Sequence, residues 1–152
     1  MRELELNSII KFCYELLPEM NFYTKSVPQD FKVPSIYFPP AGAKMKPFSQ
    51  ATFALENVLS MIIFDKSRQK AFFSADKIMY SIIEGNNKIP IVTEENIESG
   101  SLYVNDVNID LKESHIDDLF IVVCTLTWDS KGFNSKRMKD YEKINEVNMN
   151  LN

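Results

Sequence analysis

Residues Leu119 to Trp128 are apolar on both faces of any strand they form, and this stretch constrains the fold more than any other. Phe120, Val122, Cys124, Leu126 and Trp128 fall on one side, while Leu119, Ile121 and Val123 fill the other. Successive side chains alternate across a strand, so such a segment needs cover on both faces and a paired neighbour at each edge. It predicts a central strand. Asp129-Ser130-Lys131-Gly132 reads as its stop.

The rest of the chain supplies that strand with neighbours and helices. Leu6, Ile9, Ile10, Cys13 and Leu17 recur at spacings of three and four, predicting an amphipathic helix over Glu3–Leu17 that Pro18 ends. Asn21 to Pro34 reads as a connector, followed by a short strand Ser35–Phe38. Pro39-Pro40-Ala41-Gly42 stops that strand, and a turn-rich loop carrying Lys44 and Lys46 continues to Pro47.

Thr52 to Phe64 reads as one long strand with Phe53, Leu55, Leu59, Met61 and Ile63 on one face. Val58, Ile62 and Phe64 interrupt the polar face, which points to cover on both sides at the far end. Ala71, Phe72, Ala75, Ile78, Met79, Ile82 and Ile83 form a second helical stripe. Ser67 is positioned as its N-cap, and Gly85-Asn86-Asn87 as its stop. Lys88–Val92, with Pro90 inside it, suits an edge strand. Thr93–Gly100 reads as a polar loop. Leu102–Leu111 changes face near Asn105-Asp106, as at a bulge, and Lys112–Asp118 is a turn. The expected architecture is α+β: a mostly antiparallel sheet of four to five strands with two helices on one face. It forms a single domain over 1–130. A C-terminal tail or arm follows over 131–152, where Met138, Tyr141, Ile144 and Val147 recur every three residues.

Chemistry-bearing groups are few. The chain has 152 residues, of which Lys+Arg number 17 and Asp+Glu 21, giving a net charge of −4 that speaks against a nucleic-acid-binding module. His115 is the single histidine. It reads as a solvated turn residue, the alternative being a general base oriented by Asp117 or Asp118. The doublets Glu94-Glu95 and Asp117-Asp118 place adjacent carboxylates on opposite sides in extended chain, which suits no acid/base pair. The glycines are too scattered for a phosphate loop, and the residues suggest no metal or cofactor site. Cys13 and Cys124 read as small buried apolar residues, and sequence cannot fix the separation that a disulfide between them would require. The N-terminus lacks the basic start and apolar run of a secretion signal, and no stretch approaches the roughly 18 apolar residues of a membrane span.

In its order of elements and several local phrases, the chain resembles the tail terminator (tail completion) proteins of contractile phage tails and phage-tail-like bacteriocin particles. The likeness rests on Val33-Pro34-Ser35-Ile36-Tyr37-Phe38-Pro39-Pro40, on the strand Thr52–Phe64 and on the helix Arg68–Glu84. It continues through Lys88-Ile89-Pro90-Ile91 and Thr125-Leu126-Thr127-Trp128-Asp129, and so spans residues 3 to 129.

The resemblance implies a homo-hexameric ring that caps the head-proximal end of the tail tube and sheath. Such a ring stops polymerisation and offers a surface to the neck or head connector. It implies no catalysis and no cofactor, DNA only as passing cargo, no membrane, and assembly into a virion or tail-like particle in the host bacterial cytoplasm. The surfaces expected to make contacts are the Pro39–Pro47 loop, the Lys112–Asp118 turn and the C-terminal arm, which could join a neighbour's sheet edge. The residues expected to make these contacts are Lys44, Lys46, His115, Asp117, Met138 and Tyr141, together with Phe48 just beyond the first loop. Two other readings stand beside this one: a different neck or head–tail joining component, and a small ligand-binding α+β protein or enzyme with a pocket between helix and sheet.

Overall fold

The computed structural model describes residues 2–47 and 52–133. The elements are α1 (Arg2–Leu16), β1 (Asn21–Tyr23), β2 (Ser35–Tyr37), β3 (Gly42–Pro47), β4 (Thr52–Asp65), α2 (Arg68–Glu84), β5 (Lys88–Val92), β6 (Glu98–Lys112) and β7 (Phe120–Phe133). The fold is α+β, with a sheet of seven strands among the described residues that curls around one core. Strand order is β1-β2-β4-β7-β6-β5, and β3 joins β4 on the edge that it shares with β2. The β1–β2 pair is parallel, and the other pairs of the described residues are antiparallel. β7 lies between β4 and β6, as its two apolar faces require.

The helices form where their periodicity predicts. α1 contributes Ile9 and Cys13 to the core, and Leu17 follows immediately behind it. α2 contributes Ala71, Ala75, Ile78 and Ile82. They pack against the face of β4 carrying Leu59, Met61 and Ile63 and the face of β7 carrying Val122, Cys124, Leu126 and Trp128. Each fully buried Ile or Leu contributes about 1.5–3 kcal/mol of transfer free energy.

The Ser67 hydroxyl accepts the Lys70 backbone N–H at the start of α2. At its end the left-handed conformation falls on Asn86 (φ 58°) and Asn87 (φ 61°), while Gly85 stays at φ −82°. The β6 register shifts between Val104 and Asp106, where the alternation of the sequence changes face. β5 is an edge strand, with Pro90 opposite Ser101.

Several expectations need correction. The described residues form seven strands where four to five were expected, because two short edge strands lie in segments that read as connectors. β1 lies within Asn21–Pro34, where the Asn21 and Phe38 backbone N–H groups donate to Pro34 and Tyr23 carbonyls. β3 occupies the Pro39–Pro47 loop and runs along β4 from Gly42 opposite Val58 to Pro47 opposite Phe53. An edge strand needs only one paired side, so proline and lysine are tolerated there. β6 begins at Glu98, inside the expected loop, with Gly100 at φ 90°. β7 does not stop at Trp128 but remains paired to β4 as far as Phe133. Residues 134–152, including the Met138–Val147 stripe, lie outside the described residues.

Candidate functional site

The distal part of the sheet carries the most unusual chemistry. Here β3, the first half of β4 and the end of β7 form a three-stranded tip. On the core side of its base, apolar residues give way to polar ones. Asn57 continues the series Leu59, Met61, Ile63, and Ser130 continues the series Val122 to Trp128; both are buried. α1 meets them with Glu5, which is 4% exposed. The Trp128 Nε1–H donates to Glu5 Oε2 at 3.0 Å, and the Ser130 hydroxyl donates to the same oxygen. The Asn57 side-chain amide donates to Ser130 Oγ at 2.8 Å, and Arg2 Nε donates to Asn57 Oδ1 at 2.9 Å. The Arg2 guanidinium also reaches the Ala41 carbonyl just before β3. A carboxylate in the first turn of a helix is favoured by the helix dipole, and here it also satisfies two buried donors. The network fastens α1 to the root of the tip and fixes the tip's direction.

The opposite side of the tip is charged. Lys44 lies opposite Glu56, and Glu56 opposite Asp129, so the three share one face. Lys46 and Glu56 form an ion pair. The hydrogen bond and charge of Lys46 hold the Glu56 carboxyl below its ordinary range, and Glu56 raises Lys46 in turn. Both groups are open to solvent, so the pair is screened and adds little to stability. Met45, on the alternate face of β3, is 65% exposed.

The expected contact residues do not form one cluster. Lys44 and Lys46 lie together on β3. His115 and Asp117 are exposed in the β6–β7 turn, at the end of the sheet where Asp65 pairs with Phe120. From Glu56 to Asp65 is about 30 Å of strand, so the two surfaces are separate. Phe48, Met138 and Tyr141 lie outside the described residues. Sequence reasoning missed Glu5, Asn57 and Ser130. Their signal was a polar residue at a core-parity position of each strand.

Other features carry less. The groove between α1 and β5, lined by residues including Lys11, Glu15 and Asn96, holds about 150 Å³. Sites for drug-sized ligands are typically about 300–1,000 Å³. Among the described residues, no three His, Cys, Asp or Glu side chains come together as metal ligands. Cys13 and Cys124 are free and buried, with the Cys13 thiol 3.7 Å from Met61 Sδ. On the outer face of α2, Phe73, Tyr80 and Ile83 form an exposed apolar stripe.

Comparison with known proteins gives the lineage. The chain is 30% identical over 127 residues to the uncharacterized protein YqbJ of Bacillus subtilis (strain 168), covering 84% of this chain and 83% of YqbJ. It belongs to the YqbJ family. A more distant homologue, 25% identical over 146 residues, is the phage-like element PBSX protein XkdJ of the same strain, with 96% of this chain and 95% of XkdJ aligned. No family model matches the chain. Among solved structures, a chain from the virion of the native gene transfer agent (GTA) particle superposes with a TM-score of 0.51 at 8% identity. The superposition covers 84% of this chain and 92% of that chain, and it shows a shared fold. The curled sheet with two helices is therefore an architecture found in a virion.

Proposed function

We propose that this protein is a non-enzymatic structural component of a phage or phage-like particle, and that its role there is tail termination. The observation that carries the reading is homology to the PBSX protein XkdJ across 96% of the chain. The fold likeness to a chain of the GTA virion supports it. The order of elements from residue 3 to 129, which resembles tail terminators, supplies the finer assignment.

In this reading, copies of the protein close into a ring on the head-proximal end of the tail tube and sheath. Tail polymers grow by repeated head-to-tail contacts, and a ring is the case in which the rotation closes. A protein that matches the growing end on one side and differs on the other stops growth by shape alone. The neck or head connector docks on the free side, and DNA passes through the ring. The C-terminal arm expected over 131–152 would, in this reading, reach toward neighbouring subunits.

Deleting the gene from a particle-producing host and imaging the particles by negative-stain microscopy tests the role. Tails of irregular or excessive length are the expected result. Normal tails that fail to join heads would assign the protein to the neck instead. Absence of the protein from purified particles by mass spectrometry would overturn the particle reading altogether.

A further inference from the structure

The tip has two open strand edges, one on each side. β3 pairs with β4 alone among the described strands, and residues 42–46 are exposed along its outer edge. Across the tip, β7 outruns β6. The β6 partners end where Val104 meets Trp128, whereas β4 stays paired with β7 as far as Phe133. Among the described residues, no strand flanks Asp129–Phe133 on that side. In each edge, alternate backbone N–H and C=O groups point away from the sheet and remain available to another strand.

The charges on these two edges are complementary. Lys44, Glu56 and Asp129 form one cross-strand row. Glu56 has Lys46 beside it, but Asp129 faces Glu56 directly, and like charges so placed repel. One carboxylate oxygen of Asp129 is enclosed and accepts no hydrogen bond from the described residues. Lys46 lies within charge reach of Asp129 on the inner side of the tip, but among the described residues no strand neighbour stands at the open side of Asp129, while Lys44 is an exposed cation at the outer edge of β3.

We infer that the partner of this tip is a second copy of the chain, with β3 of one copy adding to the open β7 edge of the next and Lys44 lying beside Asp129. Like-with-like pairing is disfavoured. Two β3 edges would bring Lys44 and Lys46 against their own kind, and two β7 edges would leave the β3 cations unmatched. Because the two edges lie on opposite sides of one tip, β3-to-β7 pairing is head-to-tail and repeats from copy to copy. The inference rests on the proposed self-assembling role and specifies the surfaces that would serve it.

The test mixes two full-length variants, K44C and D129C, distinguishable by a small tag, and oxidises them. Cys13 and Cys124 are buried and stay out of the reaction. Disulfides between the two variants are expected to outnumber those within either one. In parallel, K44E should weaken self-association measured by mass photometry about fivefold per contact, and the double variant K44E/D129K should restore it. An oligomer that forms only like-with-like cross-links, or none, and ignores K44E overturns the edge pairing but leaves the ring reading standing. A chain that stays monomeric at every concentration overturns both.

Discussion

Glu5 is the residue on which most of the tip's attachment converges. It is buried, and it accepts hydrogen bonds from Trp128 and Ser130, whose neighbour Asn57 is in turn held by Arg2. Replacing it with alanine strands two buried donors, so Glu5→Ala should cost about 2–4 kcal/mol in urea unfolding. Glu5→Gln keeps an acceptor and should cost less. The cysteines make a second prediction. Burial pushes the Cys124 thiol up to about 12 and raises Cys13 as well, against an ordinary value of 9.0. Above pH 9 the folded chain therefore holds protons that the unfolded chain releases. Stability should fall as pH rises from about 9 toward 12, by up to about 1.4 kcal/mol per pH unit for each thiol. Urea midpoints at pH 8 and pH 10 measure this, and native protein at pH 8 should resist thiol reagents that modify the unfolded chain.

Among the elements, α2 shows the closest agreement between pattern and structure. Its stripe, its Ser67 cap and its asparagine stop are all local features, encoded within a few residues of where they act. Ser67→Ala should therefore cost about 1 kcal/mol, read from the thermal midpoint. β6 makes a contrasting case. Gly100 sits at φ 90°, and a β-carbon added there would meet nothing within 4 Å, so Gly100→Ala brings backbone strain without a steric clash. A loss of about 1–2 kcal/mol is expected from the conformation alone. β1 and β3 were illegible for a physical reason. An edge strand of three to six residues pairs on one side and packs little, so it needs no alternation of apolar and polar residues. The proline, glycine and lysine that make Pro39–Pro47 look like a loop are compatible with such an edge.

For the whole molecule, one core joins both helices and the sheet, and it buries Trp128 completely. The only tryptophan thus reports on the entire fold. Its fluorescence and the far-ultraviolet circular dichroism should change in a single coincident unfolding transition, with blue-shifted emission in the native state. The net charge of −4 is distributed to matter locally. The tip carries a lysine-bearing edge on one side and an aspartate-bearing edge on the other, while His115 and Asp117 lie exposed at the far end of the sheet.

The two helices, the central position of β7, the bulge in β6 and the edge position of β5 are all written in the order of residues. Each follows from periodicity or from a residue with a fixed backbone preference, and such information is local. How far β7 runs is a matter of packing instead, because Asp129-Ser130-Lys131-Gly132 is held extended by β4 against its own turn propensity. Folding also brings Glu5 to Trp128, across 123 positions of chain, and sets Lys44, Glu56 and Asp129 in one row. Contacts of that range depend on strand register, which is fixed only when the whole sheet closes on its core.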